Sequence, residues 1–119
     1  MVSQGDAFYR SGHPWIVLTD PNHVSGKVLC VNLTTFDDEC SDDECVLNEQ
    51  DYIWIEVGHP TAVAFSRAII IDVAKLDEWL INGNLTRVNP AQVPAQTVTK
   101  IIDIARNSRE LSDEKKELL

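Results

Sequence analysis

Gly12-His13-Pro14-Trp15-Ile16-Val17-Leu18, followed after a polar stretch by Lys27-Val28-Leu29-Cys30-Val31-Asn32-Leu33, is the part of the chain whose reading decides the fold. Each run is short, rich in β-branched and aromatic side chains, and bounded by residues that break regular structure. Trp15–Leu18 lies between Gly12-His13-Pro14 and Asp20-Pro21-Asn22. Thr19 to Gly26 supplies Pro, Asn, Ser and Gly, the residues that pre-set turn dihedrals or tolerate positive φ. Two apolar runs joined this way predict an antiparallel hairpin with a mid-length loop. Working outward, Ala7–Arg10 reads as a preceding strand. Cys45–Leu47, Tyr52–Glu56 and Ala62–Phe65 read as later ones. Tyr52–Glu56 alternates, with Tyr52, Trp54 and Glu56 on one side and Ile53 and Ile55 on the other. Ala68–Asp72 is apolar up to its terminal Asp72, as expected of a strand buried on both faces.

The period then changes. Asp72 is placed to cap a helix over Val73–Ile81, with Val73, Leu76 and Leu80 on one face and Gly83 at its stop. Asn89–Pro94 is expected to break the chain, and Pro94 suits a first helical turn. Val98, Ile101, Ile102 and Ala105 form a stripe at helical spacing. Ser112 before Asp113 and Glu114 reads as the capped, acid-first start of a short last helix. The architecture expected is one domain over 1–119, of α+β class but mainly β. Residues 1–72 would form mostly a small antiparallel barrel, and 73–119 would be mostly helical.

Length and composition agree with a single globular domain. The chain has 119 residues, 44% of them hydrophobic, enough for one core and too many for disorder. No apolar run reaches the roughly 18–20 residues of a membrane helix. No basic, then apolar, leader precedes Arg10, so a cytoplasmic location is expected. The net charge is −9, which argues against nucleic-acid binding through a whole-molecule field.

That charge is concentrated. Residues 37–51 hold Asp37, Asp38, Glu39, Asp42, Asp43, Glu44, Glu49 and Asp51 with no Lys or Arg, while the rest of the chain is nearly neutral. Such density predicts a solvated, mobile loop, or else a site for a cation or a basic partner. Cys30 falls in a core-like run, whereas Cys40 and Cys45 lie in the acidic near-repeat Asp38-Glu39-Cys40 and Asp43-Glu44-Cys45. Their spacing falls within the loose range for zinc, but His13, His23 and His59 are scattered singly and give no second ligand pair. A calcium loop is expected still less, since the EF-hand pattern wants a Gly at its sixth position and none occurs between Gly26 and Gly58. No metal and no cofactor is expected. Phosphate-loop, dinucleotide and nucleophile-elbow signatures are also missing, and Ser25-Gly26-Lys27 reads only as a tight turn.

Three segments together carry a resemblance. Gly5-Asp6 opens the first strand, His13-Pro14-Trp15-Ile16-Val17-Leu18 precedes a turn, and Val31-Asn32-Leu33-Thr34-Thr35 closes the next strand. Ala68–Ile71, Lys75-Leu76 and Gly83-Asn84-Leu85 follow in the same order. This resembles the MazF/PemK toxin family over roughly residues 5–105. The resemblance implies an SH3-like barrel with helices, a homodimer, and a metal-independent endoribonuclease neutralised by an antitoxin. It places action at the scissile phosphate on His13 and on Thr34 or Thr35. At the first of these positions the family's Arg-Pro has become His13-Pro14, so the guanidinium fork is lost there.

The residues present could still build the site that the resemblance implies. Cleavage beside a 2′-hydroxyl needs a base, an acid and a cation on the phosphate. Histidine suits the first two near neutral pH. His13 and His59 are the candidate pair, and Arg67, beside Ser66, is the candidate clamp. Two readings follow. One is a MazF/PemK-like protein acting on single-stranded RNA, with an antitoxin or other protein partner. The other is a non-catalytic module of the same fold that binds a basic protein or peptide through residues 37–51.

Overall fold

The computed structural model describes residues 1–24 and 26–119. Ser25, and with it the expected turn at Ser25-Gly26-Lys27, lies partly outside the described residues. The decisive hairpin forms as read. Strand β1 (Asp6–Arg10) pairs with β2 (His13–Val17), and β2 pairs with β3 (Lys27–Thr35), Trp15 standing opposite Asn32 and Val17 opposite Cys30. Strand β4 (Val46–Leu47) and the long β5 (Thr61–Asp72) complete one side of the sheet, and β6 (Thr86–Gln92) the other. The order is β4-β5-β3-β2-β1-β6, all neighbours antiparallel, curled into a half-barrel. Helices α1 (Val73–Ile81), α2 (Ala95–Ala105) and α3 (Asp113–Lys116) make this a mainly β member of the α+β class, as expected. No helix among the described residues is long and apolar enough to cross a membrane.

The pleat divides the apolar residues between two cores. Ile16, Leu18, Leu29, Val31, Leu33, Val63 and Phe65 belong to one core and pack with Val98, Ile101 and Ala105 of α2 and with Leu111 and Leu118. Phe8, Trp15, Val17, Val28, Cys30 and Ile71 face the other side, where Leu76 of α1 and Val2 cover them. Alternation along β3 is therefore buried on both faces, which explains why Lys27–Leu33 reads as an almost unbroken apolar run. Truncating a fully buried side chain such as Leu29 or Leu76 to Ala would cost about 2–5 kcal/mol.

Several expectations are corrected. Tyr52–Glu56 is not a strand but a run of turns, with Tyr52 N–H donating to the Asn48 carbonyl and Ile55 N–H to the Tyr52 carbonyl. Its buried residues are Tyr52 and Ile55, three apart, while Ile53 is 78% exposed, so the period of two was misleading. Ala62–Phe65 and Ala68–Asp72 are one strand, whose pairing with β3 slips between Asn32↔Ala64 and Cys30↔Ile69. Phe65, Ser66, Arg67 and Ala68 therefore bulge opposite Val31 alone.

Asn89–Pro94 does not break the chain outright. Pro90 sits within β6, an edge strand, where a missing N–H can be tolerated. The segment 73–119 thus contributes a strand to the sheet as well as the helices. Asp72 starts α1 but its side chain makes no cap bond, binding Lys27 Nζ at 2.8 Å instead. Pro94 is the residue before α2 rather than inside it, whereas Ser112 caps α3 as expected, accepting from the Lys115 N–H.

The acidic segment is also not simply a loose loop. Asp42 is buried and accepts from the Ser66 N–H at 3.1 Å and hydroxyl at 2.7 Å. Glu44 accepts from the Ser108 hydroxyl at 2.5 Å and the Arg109 N–H at 3.0 Å. Asp51 pairs with Lys100 at 3.3 Å, and its carbonyl accepts from the Thr97 hydroxyl at 2.6 Å. Between them Cys45 and Leu47 enter the main core. Repulsion among the acids is offset because three of them bind donors on β5 and on the α2–α3 region.

Candidate functional site

The site is built where β1, β2, β3 and β5 end together. Ser11 and Gly12 both have positive φ, 53° and 79°, forming a tight two-residue connection between β1 and β2. The turn sets the register, so Arg10 stands directly opposite His13. Trp15 pairs with Asn32, which puts His13 and Thr34 two residues further along adjacent strands and on one face. Thr34 in turn pairs with Ala62. Arg10, His13, Thr34 and Ala62 thus form a row across the sheet end, beyond the part of that face covered by α1. The Arg10 guanidinium lies 5.3 Å from the centre of the Trp15 ring, and the Trp15 indole N–H donates to the Arg10 carbonyl at 3.2 Å. Trp15 is buried and so gives the cation a rigid, weakly hydrated platform. Arg10 forms no ion pair among the described residues.

Beside this row lies a cleft of about 230 Å³ lined by Thr34, Thr35, Asp37, Glu39, Cys40, Ser41, Asp42, Ala64 and Arg67. The bulge in β5 carries Arg67 to its rim. The Asp42–Ser66 bonds fix the acidic segment against that bulge. A second hollow of about 280 Å³, lined by Thr35, Trp54, Ile55, Glu56, His59, Pro60 and Thr61, opens on the other side of Thr35. Trp54 is held there by its indole N–H, which donates to the Tyr9 hydroxyl at 2.9 Å.

The candidate residues are therefore only partly united. Thr34, Thr35 and Arg67 share one cleft; His59 shares the neighbouring hollow with Thr35. His13 lines neither, but belongs to the strand row with Thr34. The Ser66 hydroxyl is committed to Asp42 and serves as a brace. Arg10 was missed by sequence reading. The signal for it was available: Ser11-Gly12 between two apolar runs marks a two-residue hairpin, and that turn dictates the Arg10–His13 pairing.

The thiols fall outside this chemistry. Burial pushes the Cys30 thiol up to about 12 and the Cys45 thiol up to about 11, so both remain protonated at neutral pH. A metal-binding thiolate would need the opposite shift. Cys40 is half-buried, with its Sγ 3.2 Å from the Asp42 carbonyl. No group of three or more His, Cys, Asp or Glu side chains suited to a metal occurs among the described residues.

Asp6, from the Gly5-Asp6 pair, has a structural role. It is buried, forms an ion pair with Arg87 at 3.2 Å, and accepts from the Ser3 N–H at 2.9 Å and from the Gln92 amide. These bonds latch β6 to β1. Gly5 permits the latch, since a Cβ there would fall 3.2 Å from Gln92 Oε1 and 3.3 Å from the Val93 carbonyl oxygen, at a φ of +89°.

No protein-family model matches the chain, and no curated protein matches it.

Proposed function

We propose that the protein is a MazF/PemK-like barrel of toxin type that cleaves single-stranded RNA without a metal, as a homodimer in the cytoplasm. One observation carries this reading: the tight β1–β2 turn sets Arg10 opposite His13, in a row with Thr34. The cation that the resemblance calls for, absent at position 13, is supplied from the facing strand.

In this reading the Arg10 guanidinium holds the phosphate and the developing charge on it. His13 exchanges the proton, taking it from the 2′-hydroxyl or giving it to the leaving oxygen. The Thr34 hydroxyl orients the phosphate from the adjacent strand. His59 and Arg67 flank the row at the two neighbouring hollows. The acids Asp37, Glu39 and Asp42 flank the row at its Thr34 end, while β2 and β3 stand between β5 and the strand of Arg10.

The test is incubation of purified protein with single-stranded RNA in the presence of a chelator. Cleavage is expected, falling roughly 100-fold or more in Arg10→Ala and His13→Ala. Absence of both cleavage and low-salt binding by a folded protein sinks the reading.

A second reading has its own observation. Asp37, Glu39 and Asp42 line the same cleft as Thr34, Thr35 and Arg67. Acids there favour a basic protein partner, which would bind with strongly salt-dependent affinity.

A further inference from the structure

We propose that the hollow beside Thr35 is a base-binding subsite that takes a guanine of single-stranded RNA, stacked on Trp54 and read by Glu56 and His59. The strand is the one whose phosphate the row of Arg10, His13 and Thr34 holds, so the assignment rests on the RNA reading above.

Thr34 and Thr35 are the last two residues of β3, and successive strand side chains leave opposite faces of a sheet. The row includes Thr34, and the hollow of about 280 Å³ is lined by Thr35. Row and hollow therefore meet at the end of β3, one residue apart, where a strand turning round the sheet end would carry a base next to its bound phosphate.

The walls supply a stacking surface, an acceptor and a donor. Trp54 is half-buried, and its only donor, the indole N–H, is committed to the Tyr9 hydroxyl at 2.9 Å. What remains for a ligand is ring surface, and stacking on a fixed aromatic ring is how proteins hold an unpaired base. Glu56 is exposed and forms no ion pair among the described residues. Its carboxylate only accepts. His59 lines the same hollow from the same turn, in which its N–H donates to the Glu56 carbonyl at 3.0 Å. A neutral imidazole adds one donor. Guanine has the edge that matches this set. Its N1–H and N2–H donate side by side to a carboxylate, and the neighbouring O6 accepts from the imidazole. Adenine and cytosine place an acceptor where guanine has N1–H, and uracil offers a single donor.

Exposed apolar surface gathers at the same place. Among the described residues, the large apolar side chains left exposed are Met1, Tyr9, Ile53, Val57 and Ile81. Ile53 and Val57 belong to the run of turns that carries Trp54 and Glu56, and Tyr9 holds the Trp54 indole. Apolar groups scattered singly need no explanation, but a group of them around a hollow marks a contact surface.

The experiment titrates the full chain at low salt with 5′-GMP, 5′-IMP and 5′-AMP, following the Trp54 indole N–H and the Glu56 and His59 amides by NMR. The three nucleotides share a phosphate and differ at the base edge, and IMP lacks only the N2 amine of GMP. GMP should shift these signals saturably, at least about tenfold more tightly than AMP and a few-fold more tightly than IMP. Glu56→Gln, at an exposed position, should bring GMP within about twofold of AMP. Trp54→Ala should weaken all three about fivefold or more. A 2′-O-methyl RNA hexamer with one guanosine lacks the nucleophilic hydroxyl and cannot be cut. It should bind at least about tenfold more tightly than GMP, and Arg10→Ala should remove that excess. Equal binding of GMP and AMP, no shift at Trp54, or an unchanged preference in Glu56→Gln overturns the proposal. A hexamer no tighter than GMP overturns RNA as the source and makes a free guanine nucleotide the ligand. RNA cleavage by protein that shows no shift at Trp54 keeps the cleavage reading and removes this subsite. Guanine-selective binding of the hexamer at Trp54, with no cleavage of ordinary RNA, keeps the subsite and removes the cleavage reading.

Discussion

The β1–β2 hairpin and the 37–51 segment use charged residues in opposite ways. The hairpin is joined by two residues, and its shape comes from backbone geometry at Ser11 and Gly12. Its charged side chain, Arg10, makes no ion pair among the described residues and remains available over Trp15. The acidic segment has little regular structure of its own beyond Val46–Leu47. Its shape comes from side chains: Asp42, Glu44 and Asp51 bind donors on other elements. Asp37, Asp38, Glu39 and Asp43 stay exposed. A dense run of like charges folds when some of its members find fixed donors, and the remaining ones then become an oriented surface rather than a diffuse cloud.

Removing a fixed acid should break that contrast most. Asp42→Ala leaves the Ser66 N–H and hydroxyl without their partner, and a loss of about 1–3 kcal/mol is expected in urea unfolding. A change below about 0.5 kcal/mol would show that the brace is cosmetic. Glu44→Gln should cost less, about 1 kcal/mol, because the residue is only half-buried and water screens it.

Glu44 also sharpens the comparison through pH. The Ser108 hydroxyl holds its carboxyl below the ordinary glutamate value, against the opposing effect of burial and with smaller help from the Arg109 N–H. The folded value is the depressed one. Its stabilisation is therefore fully present above the ordinary glutamate pKa and is lost as pH falls through the folded value. Acid unfolding of Glu44→Gln should show a shallower loss over that window than the parent protein. An identical pH profile would count against the Ser108 bond.

The smallest effects belong to the exposed acids. Asp38→Asn should move stability by no more than about 0.5 kcal/mol. Thiol labelling gives an independent check on how firmly the segment is held. Cys40 should react with a disulfide reagent at neutral pH, while Cys30 and Cys45 should react only on unfolding, being buried and protonated. Rapid labelling of Cys45 in folded protein would mean that the segment opens readily.

Much of this was legible in the chain. Trp15–Leu18 and Lys27–Leu33 revealed the hairpin because their apolar runs and intervening turn residues are local signals. Val73–Ile81 and Ser112 were legible for the same reason, since helix period and capping act within a few residues. Thr34, Thr35 and Arg67 were found as candidates, and they do share a cleft. The misreadings have one physical origin. Tyr52–Glu56 alternates like a strand, but Tyr52 and Ile55 are buried by neighbours distant in sequence. Pro90 should interrupt a strand, yet an edge position removes the penalty.

The sequence by itself determined the mainly β class, the central hairpin, the first and last helices and the location of nearly all the excess charge. These follow from dihedral preference, apolar period and composition, which operate locally. Only the tertiary structure decided that Arg10 faces His13 beside Thr34, that the β5 bulge carries Arg67 to an acid-lined cleft, and that the Asn32 Oδ1 has no hydrogen-bond partner among the described residues. Those facts depend on strand register and on donors supplied by residues up to dozens of positions away. The net charge of −9 is therefore divided: some of the acids hold the fold together, and others line a particular cleft.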